Sequence, residues 1–182
     1  SRNEQGFFGN IGGKGEVKRL SVSGEITVNA DSVGGIAGYI EGKVTGCSFA
    51  GTISGKDDVG GIAGQSGLNS NISQCMNKST VQGSQNVGGI AGSVSYGTVS
   101  ECVNNGTVGK EGVTVNAGGI AGYMTNYAVI TACWNKGSIS GKSKLGGIAG
   151  EASVCAAPQG CYNIGKVGPG FYAYGVLGGL SG

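Results

Sequence analysis

The 182-residue sequence has no histidine, and that one absence removes much of the usual catalytic chemistry. Without an imidazole there is no conventional triad, no histidine base and no histidine metal ligand. Charge is scarce and balanced, with 12 Lys and Arg against 10 Asp and Glu. No basic run exceeds Lys18-Arg19, so the concentrated positive field of a nucleic-acid surface is missing. No apolar run approaches the roughly 20 residues of a membrane-spanning helix, and no signal peptide opens the chain. Proline occurs twice, and no segment is of low complexity.

What the chain has is glycine, 41 residues of it, at fixed offsets. The string GGIAG occurs at Gly34–Gly38, Gly60–Gly64, Gly88–Gly92, Gly118–Gly122 and Gly146–Gly150. A weaker copy, GGLSG, follows at Gly178–Gly182, and an eroded one, QGFFG, precedes at Gln5–Gly9. The first glycines from Gly34 onward are 26, 28, 30, 28 and 32 residues apart. Such regularity marks one unit copied in tandem. Both ends fall in or beside a box, so residues 1–182 read as a single domain cut from a longer protein.

Aligning the units gives columns. One reads Leu20, Cys47, Cys75, Cys102, Cys133, Cys161; six residues on, another reads Ile26, Ile53, Val81, Val108, Ile139, Val167. The boxes supply Phe7, Ile36, Ile62, Ile90, Ile120, Ile148 and Leu180, preceded by Val33, Val59, Val87, Ala117, Leu145 and Leu177. Short β-branched runs bounded by Gly, Ser, Asn and Asp predict strands and turns, and glycine breaks every helical window. The chain is therefore expected to be all-β. Three strands and three turns per unit predict a three-sided parallel β-solenoid of about six coils, with rungs about 4.8 Å apart and a length of roughly 29 Å. Propeller blades need longer units, and leucine-rich repeats need more leucine.

The segment VGGIAG followed by Cys-x-Asn-x-Gly-x-Val/Ile, as in Cys102-Val103-Asn104-Asn105-Gly106-Thr107-Val108, resembles the GLUG repeat of large bacterial surface proteins, among them adhesin-like proteins and IgA-specific metallopeptidases. The first unit departs from it, with Leu20 for Cys and Val22 for Asn, and the last carries Ala156-Ala157-Pro158 in its loop. The resemblance implies a right-handed solenoid in an extracellular stalk on the bacterial cell surface. Its partners would be adjoining domains of the parent protein, with host glycan or protein as further candidates.

The six cysteines tempt toward metal or redox chemistry. No Cys-x-x-Cys pair exists, and there is no histidine to complete a zinc set. Cys47, Cys75, Cys102, Cys133 and Cys161, in a column begun by Leu20, read as a buried ladder of small apolar side chains. A disulfide between Cys155 and Cys161, across a proline-containing loop, stays open at this point. Asn77, Asn104, Asn135 and Asn163 form a second ladder, expected at an unpaired corner, where stacked amides satisfy one another and Asn tolerates left-handed backbone. The box glycines serve either positive φ at a corner or close approach of sheet to coil. A dinucleotide fingerprint would need a following helix, and no cofactor or metal is expected.

No enzyme is expected either. The acids are scattered, and the one adjacent pair, Asp57-Asp58, sits at a turn; a polysaccharide-active β-helix enzyme would cluster them in a groove. Calcium-binding rolls need nonapeptide units with Asp in each. The column Glu25, Thr52, Thr80, Thr107, Ser138, Lys166 is too interrupted for an ice-binding array. A structural stalk or spacer and an adhesin-type binding module remain. Binding is favoured by the column one residue after the cysteines, Ser48, Met76, Val103, Trp134, Tyr162. It should point outward and grows aromatic toward the C-terminus. Trp134 and Tyr162 are candidates as a flat stacked platform, joined by Tyr172 and Tyr174.

Overall fold

A computed structural model describes residues 3–155 and 157–181. The expected places of Ala156, of the Leu180 side chain and of Gly182 lie outside these residues. Among the described residues there is no helix, and every strand pairing is parallel. The strands stack as a β-solenoid of about six turns.

Four sheets run its length, not the three expected. The box sheet contains seven strands: Phe8–Ile11, Ala37–Ile40, Ala63–Ser66, Ala91–Ser95, Ala121–Thr125, Ala149–Ser153 and Leu180–Ser181. The pre-box sheet has six, from Val33–Gly34 through Asp57–Gly60, Gln85–Gly88, Val115–Gly118 and Ser143–Gly146 to Phe171–Tyr174. The post-cysteine sheet also has six: Ser21–Thr27, Ser48–Ser54, Met76–Gln82, Val103–Asn104, Trp134–Asn135 and Tyr162–Asn163. Five short strands, Glu16–Lys18 to Val129–Thr131, make the pre-cysteine sheet. The extra sheet arises because the box bends the chain within two residues, so one run of sequence feeds two sheets.

The glycines make that bend possible. A methyl on Gly64 would stand 2.5 Å from the Val33 nitrogen, and one on Gly92 equally close to Val59. Real Cβ atoms do not approach backbone so closely, so box sheet and pre-box sheet touch through bare backbone. Among the described residues no box glycine has a left-handed φ; close approach is the reason for glycine here. Left-handed backbone occurs elsewhere, at two corners of each coil. One column is Ser32, Asp58, Asn86, Asn116, Lys144 and Tyr172, and the other Arg19, Gly46, Gln74, Glu101, Ala132 and Gly160, all with φ between 51° and 64°.

The core is a set of files along the axis. Ile36, Ile62, Ile90, Ile120 and Ile148 are stacked inside with no exposure, beside Val33, Val59, Val87, Ala117 and Leu145. Phe7 occupies the matching rung of the first coil, since Phe8 pairs with Ala37, but it is 60% exposed. No described coil covers it on that side.

The cysteine file is buried from Cys47 to Cys133, and all six cysteines are free, Cys155 and Cys161 included. Each thiol takes the same place. Cys75, Cys102 and Cys133 each donate to the carbonyl two residues earlier, those of Ser73, Ser100 and Thr131, at 3.2 Å. The Cys75 amide in turn donates to Cys102 Sγ at 3.4 Å. Burial pushes the Cys102 thiol well above its ordinary range, and Cys47 upward too.

The asparagine file runs in strict register from Val22 and Phe49 through Asn77, Asn104, Asn135 and Asn163. It lies inside short strands rather than at an unpaired corner, and Asn77, Asn104 and Asn135 have no exposure. None of the four has left-handed φ. Asn77 Nδ2 donates to Asn104 Oδ1 at 2.8 Å, Asn104 to Asn135 at 2.7 Å and Asn135 to Asn163 at 2.8 Å. Each Oδ1 also accepts the amide two residues on, from Ser79, Gly106, Gly137 and Gly165. Thus a buried carboxamide, costly when unpaired, is satisfied on both atoms.

Candidate functional site

Alternation along the post-cysteine strands turns the residue after each cysteine outward. Register aligns Ser48, Met76, Val103, Trp134 and Tyr162 in one outer file. The file two residues on carries Lys78, Asn105, Lys136 and Ile164, all exposed. Trp134 is 49% exposed and Tyr162 62%.

The two rings do not form the flat platform expected of neighbours on successive rungs. Their centroids are 5.9 Å apart and their planes meet at 79°. Rungs about 4.8 Å apart crowd two large rings, and an edge-to-face pair is a preferred arrangement of aromatic quadrupoles. The Lys136 ammonium stands 5.5 Å from the centre of the Trp134 ring, within cation–π range. Together Trp134, Asn135, Lys136, Tyr162 and Ile164 line a cleft of about 370 Å³.

Tyr172 and Tyr174 belong elsewhere. They lie on the pre-box sheet, where Tyr174 pairs with Gly146, and they line a separate cleft with Lys144, Gly178 and Gly179. Structure therefore brings Trp134 to Tyr162 but not to the last two tyrosines. Lys136 and Ile164 escaped the sequence reading, although their offset, two residues after each aromatic and just past its strand, was the available signal. A second exposed pair, Tyr96 and Tyr127 with centroids 6.3 Å apart, sits on loops of unequal length that no column alignment matches.

The acids form hydrogen-bonded structure. Asp58 Oδ2 accepts Gln65 Nε2 at 2.6 Å and its Oδ1 accepts Asn86 Nδ2 at 2.9 Å. Asp57 lies 3.8 Å from Lys56. Glu151 is buried and pairs with Lys144 at 2.7 Å. Among the described residues no three His, Cys, Asp or Glu side chains are grouped to hold a metal ion, and no helix is long and apolar enough to cross a membrane.

A family model described as the GLUG motif matches residues 29–54. That stretch holds one box, Cys47 and Ile53, one full unit of the repeat, and supports a GLUG-repeat region. No curated protein matches the chain, and no solved structure does.

Proposed function

We propose that this chain is a non-catalytic structural stalk or spacer of a bacterial cell-surface protein, working outside the cell between adjoining domains of its parent. One observation carries the reading: every interior group that recurs is used to hold one coil to the next. The asparagine, thiol and isoleucine files all run along the axis. Order of this kind yields a rod whose length is set by the number of coils. Free thiols are unusual in an oxidising exterior, but burial shields Cys47, Cys75, Cys102 and Cys133 from partners.

A spacer must tolerate whole added coils. Met76 pairs with Val103 and Asn77 with Asn104, so repeating residues 77–103 preserves every file. Three extra copies should lengthen the particle by about 14 Å, three rungs of about 4.8 Å each, in small-angle scattering. Cooperative unfolding should persist. Failure to lengthen, or unfolding of the added coils, would remove the spacer reading.

A second reading, an adhesin-type module for host glycan or protein, is favoured by the exposed Trp134–Tyr162 pair and its cleft.

A further inference from the structure

We infer that the Trp134–Tyr162 cleft is a binding site for an acidic pyranose, a uronic or sialic acid residue of a glycan. The inference rests on the binding reading just given and names the ligand class for that site. Its first support is shape. Two walls at 79° make a right-angled notch rather than a plate. A pyranose has an apolar C–H face and a polar rim, so it can lay its face on one wall while the rim meets the other. Ile164, 77% exposed, extends the apolar floor of the notch.

The second support is charge. Lys136 lines the notch, and among the described residues its ammonium has no carboxylate partner. Its contact with the Trp134 ring leaves hydrogen-bond donors free for an incoming anion. The outer files of this sheet also carry Lys78 and Lys166, likewise without ion pairs, whereas their sole acid, Glu25, stands in the first coil at the far end. An otherwise nearly neutral chain thus presents a cationic, aromatic face around one cleft. A neutral sugar would leave Lys136 unpaired; a carboxylate on the rim would satisfy it with a charge-assisted bond.

Trp134 is the chain's only tryptophan among seven tyrosines, so fluorescence excited at the red edge, where tyrosine does not absorb, reports on this site alone. The probes are trigalacturonic acid and 3′-sialyllactose, each beside a neutral counterpart, reduced trigalacturonate (carboxylates converted to alcohols) and lactose. One acidic probe should change the emission saturably, and which one does so identifies the source of the acid. Its neutral counterpart should bind about tenfold more weakly or worse, the loss of one charged hydrogen bond. Affinity should fall with added salt. Lys136→Gln should lower affinity for the acid about tenfold and affinity for the neutral sugar by less. Tyr162→Ala should weaken both. All these side chains are exposed, and unchanged circular dichroism verifies the fold of each variant. Equal binding of acid and neutral forms overturns the acidic class while keeping the binding reading. No saturable response to any of the four probes overturns the site as a sugar site and the glycan form of that reading together.

Discussion

Gly61 faces Asn77 so closely that a methyl on the glycine would stand 2.6 Å from Asn77 Oδ1. The relationship repeats in later coils, Gly89 against Asn104, Gly119 against Asn135 and Gly147 against Asn163. In the second coil Gly35 meets Phe49, the residue in the asparagine register there. The second box glycine and the asparagine after the cysteine are therefore one device: a carboxamide packed on bare backbone.

Adding one carbon should break it. Gly89→Ala drives a Cβ into Asn104 and the Gly119 carbonyl, and overpacking of this kind costs about 1–3 kcal/mol, sometimes more. Gly13→Ala, with nothing within 4 Å, should change stability by less than about 0.5 kcal/mol. Urea midpoints measure both, and equal effects would refute the close-approach account.

Asn104→Ala removes the acceptor of Asn77 Nδ2 and the donor to Asn135 Oδ1. Each buried group left unpaired costs about 1–3 kcal/mol. Asn104→Asp should be no gentler at neutral pH, since a carboxylate cannot donate to Asn135. Asn105→Ala, one residue on and exposed, should fall within about 0.5 kcal/mol of the parent. Chemical denaturation of the three variants decides the matter, and a mild Asn104→Ala would mean the ladder holds little.

Four thiols, Cys47, Cys75, Cys102 and Cys133, are buried, while Cys155 and Cys161 are partly exposed. An aromatic disulfide reagent should therefore titrate two thiols in the folded protein and six after denaturation. Cys102→Ala opens a small cavity in the file and should cost roughly 1–3 kcal/mol, the low end for large-to-small core changes. Rapid reaction of all six in native buffer would show that the coils open readily.

Burial raises the Cys102 thiol well above its usual range, which fixes the sign of that thiol's own contribution to a pH effect. Cys75 and Cys133, hydrogen-bonded to it, are shifted down. In the unfolded chain this thiol loses its proton near pH 8.5, whereas the folded chain retains it. Stability is then complete below about pH 8.5 and falls as pH rises, by up to about 1.4 kcal/mol per pH unit for this group. Comparing urea midpoints at pH 7.5 and 10, Cys102→Ala should show a shallower decline than the parent. An identical slope would place the alkaline sensitivity elsewhere.

The files were legible in the sequence because a parallel solenoid repeats its side-chain positions once per coil. Ile36, Ile62 and Ile90 announce themselves by spacing alone. The fourth sheet was not legible, since strands as short as Val33–Gly34 and Ala37–Ile40 leave no alternation to read. Nor were the left-handed corners: ten of those twelve positions are not glycine, so the usual marker is missing. The Trp134–Tyr162 angle depends on how two rings share one rung spacing, which pattern does not encode.

The asparagine ladder gives the rod an electrical direction. Backbone dipoles in a sheet largely cancel, but all three amide-to-amide bonds from Asn77 to Asn163 point their N–H groups the same way. Their moments add, leaving the C-terminal end the more positive, the end where Trp134, Lys136 and Tyr162 also lie. Two rods side by side at low salt would for this reason favour opposed rather than matched orientation.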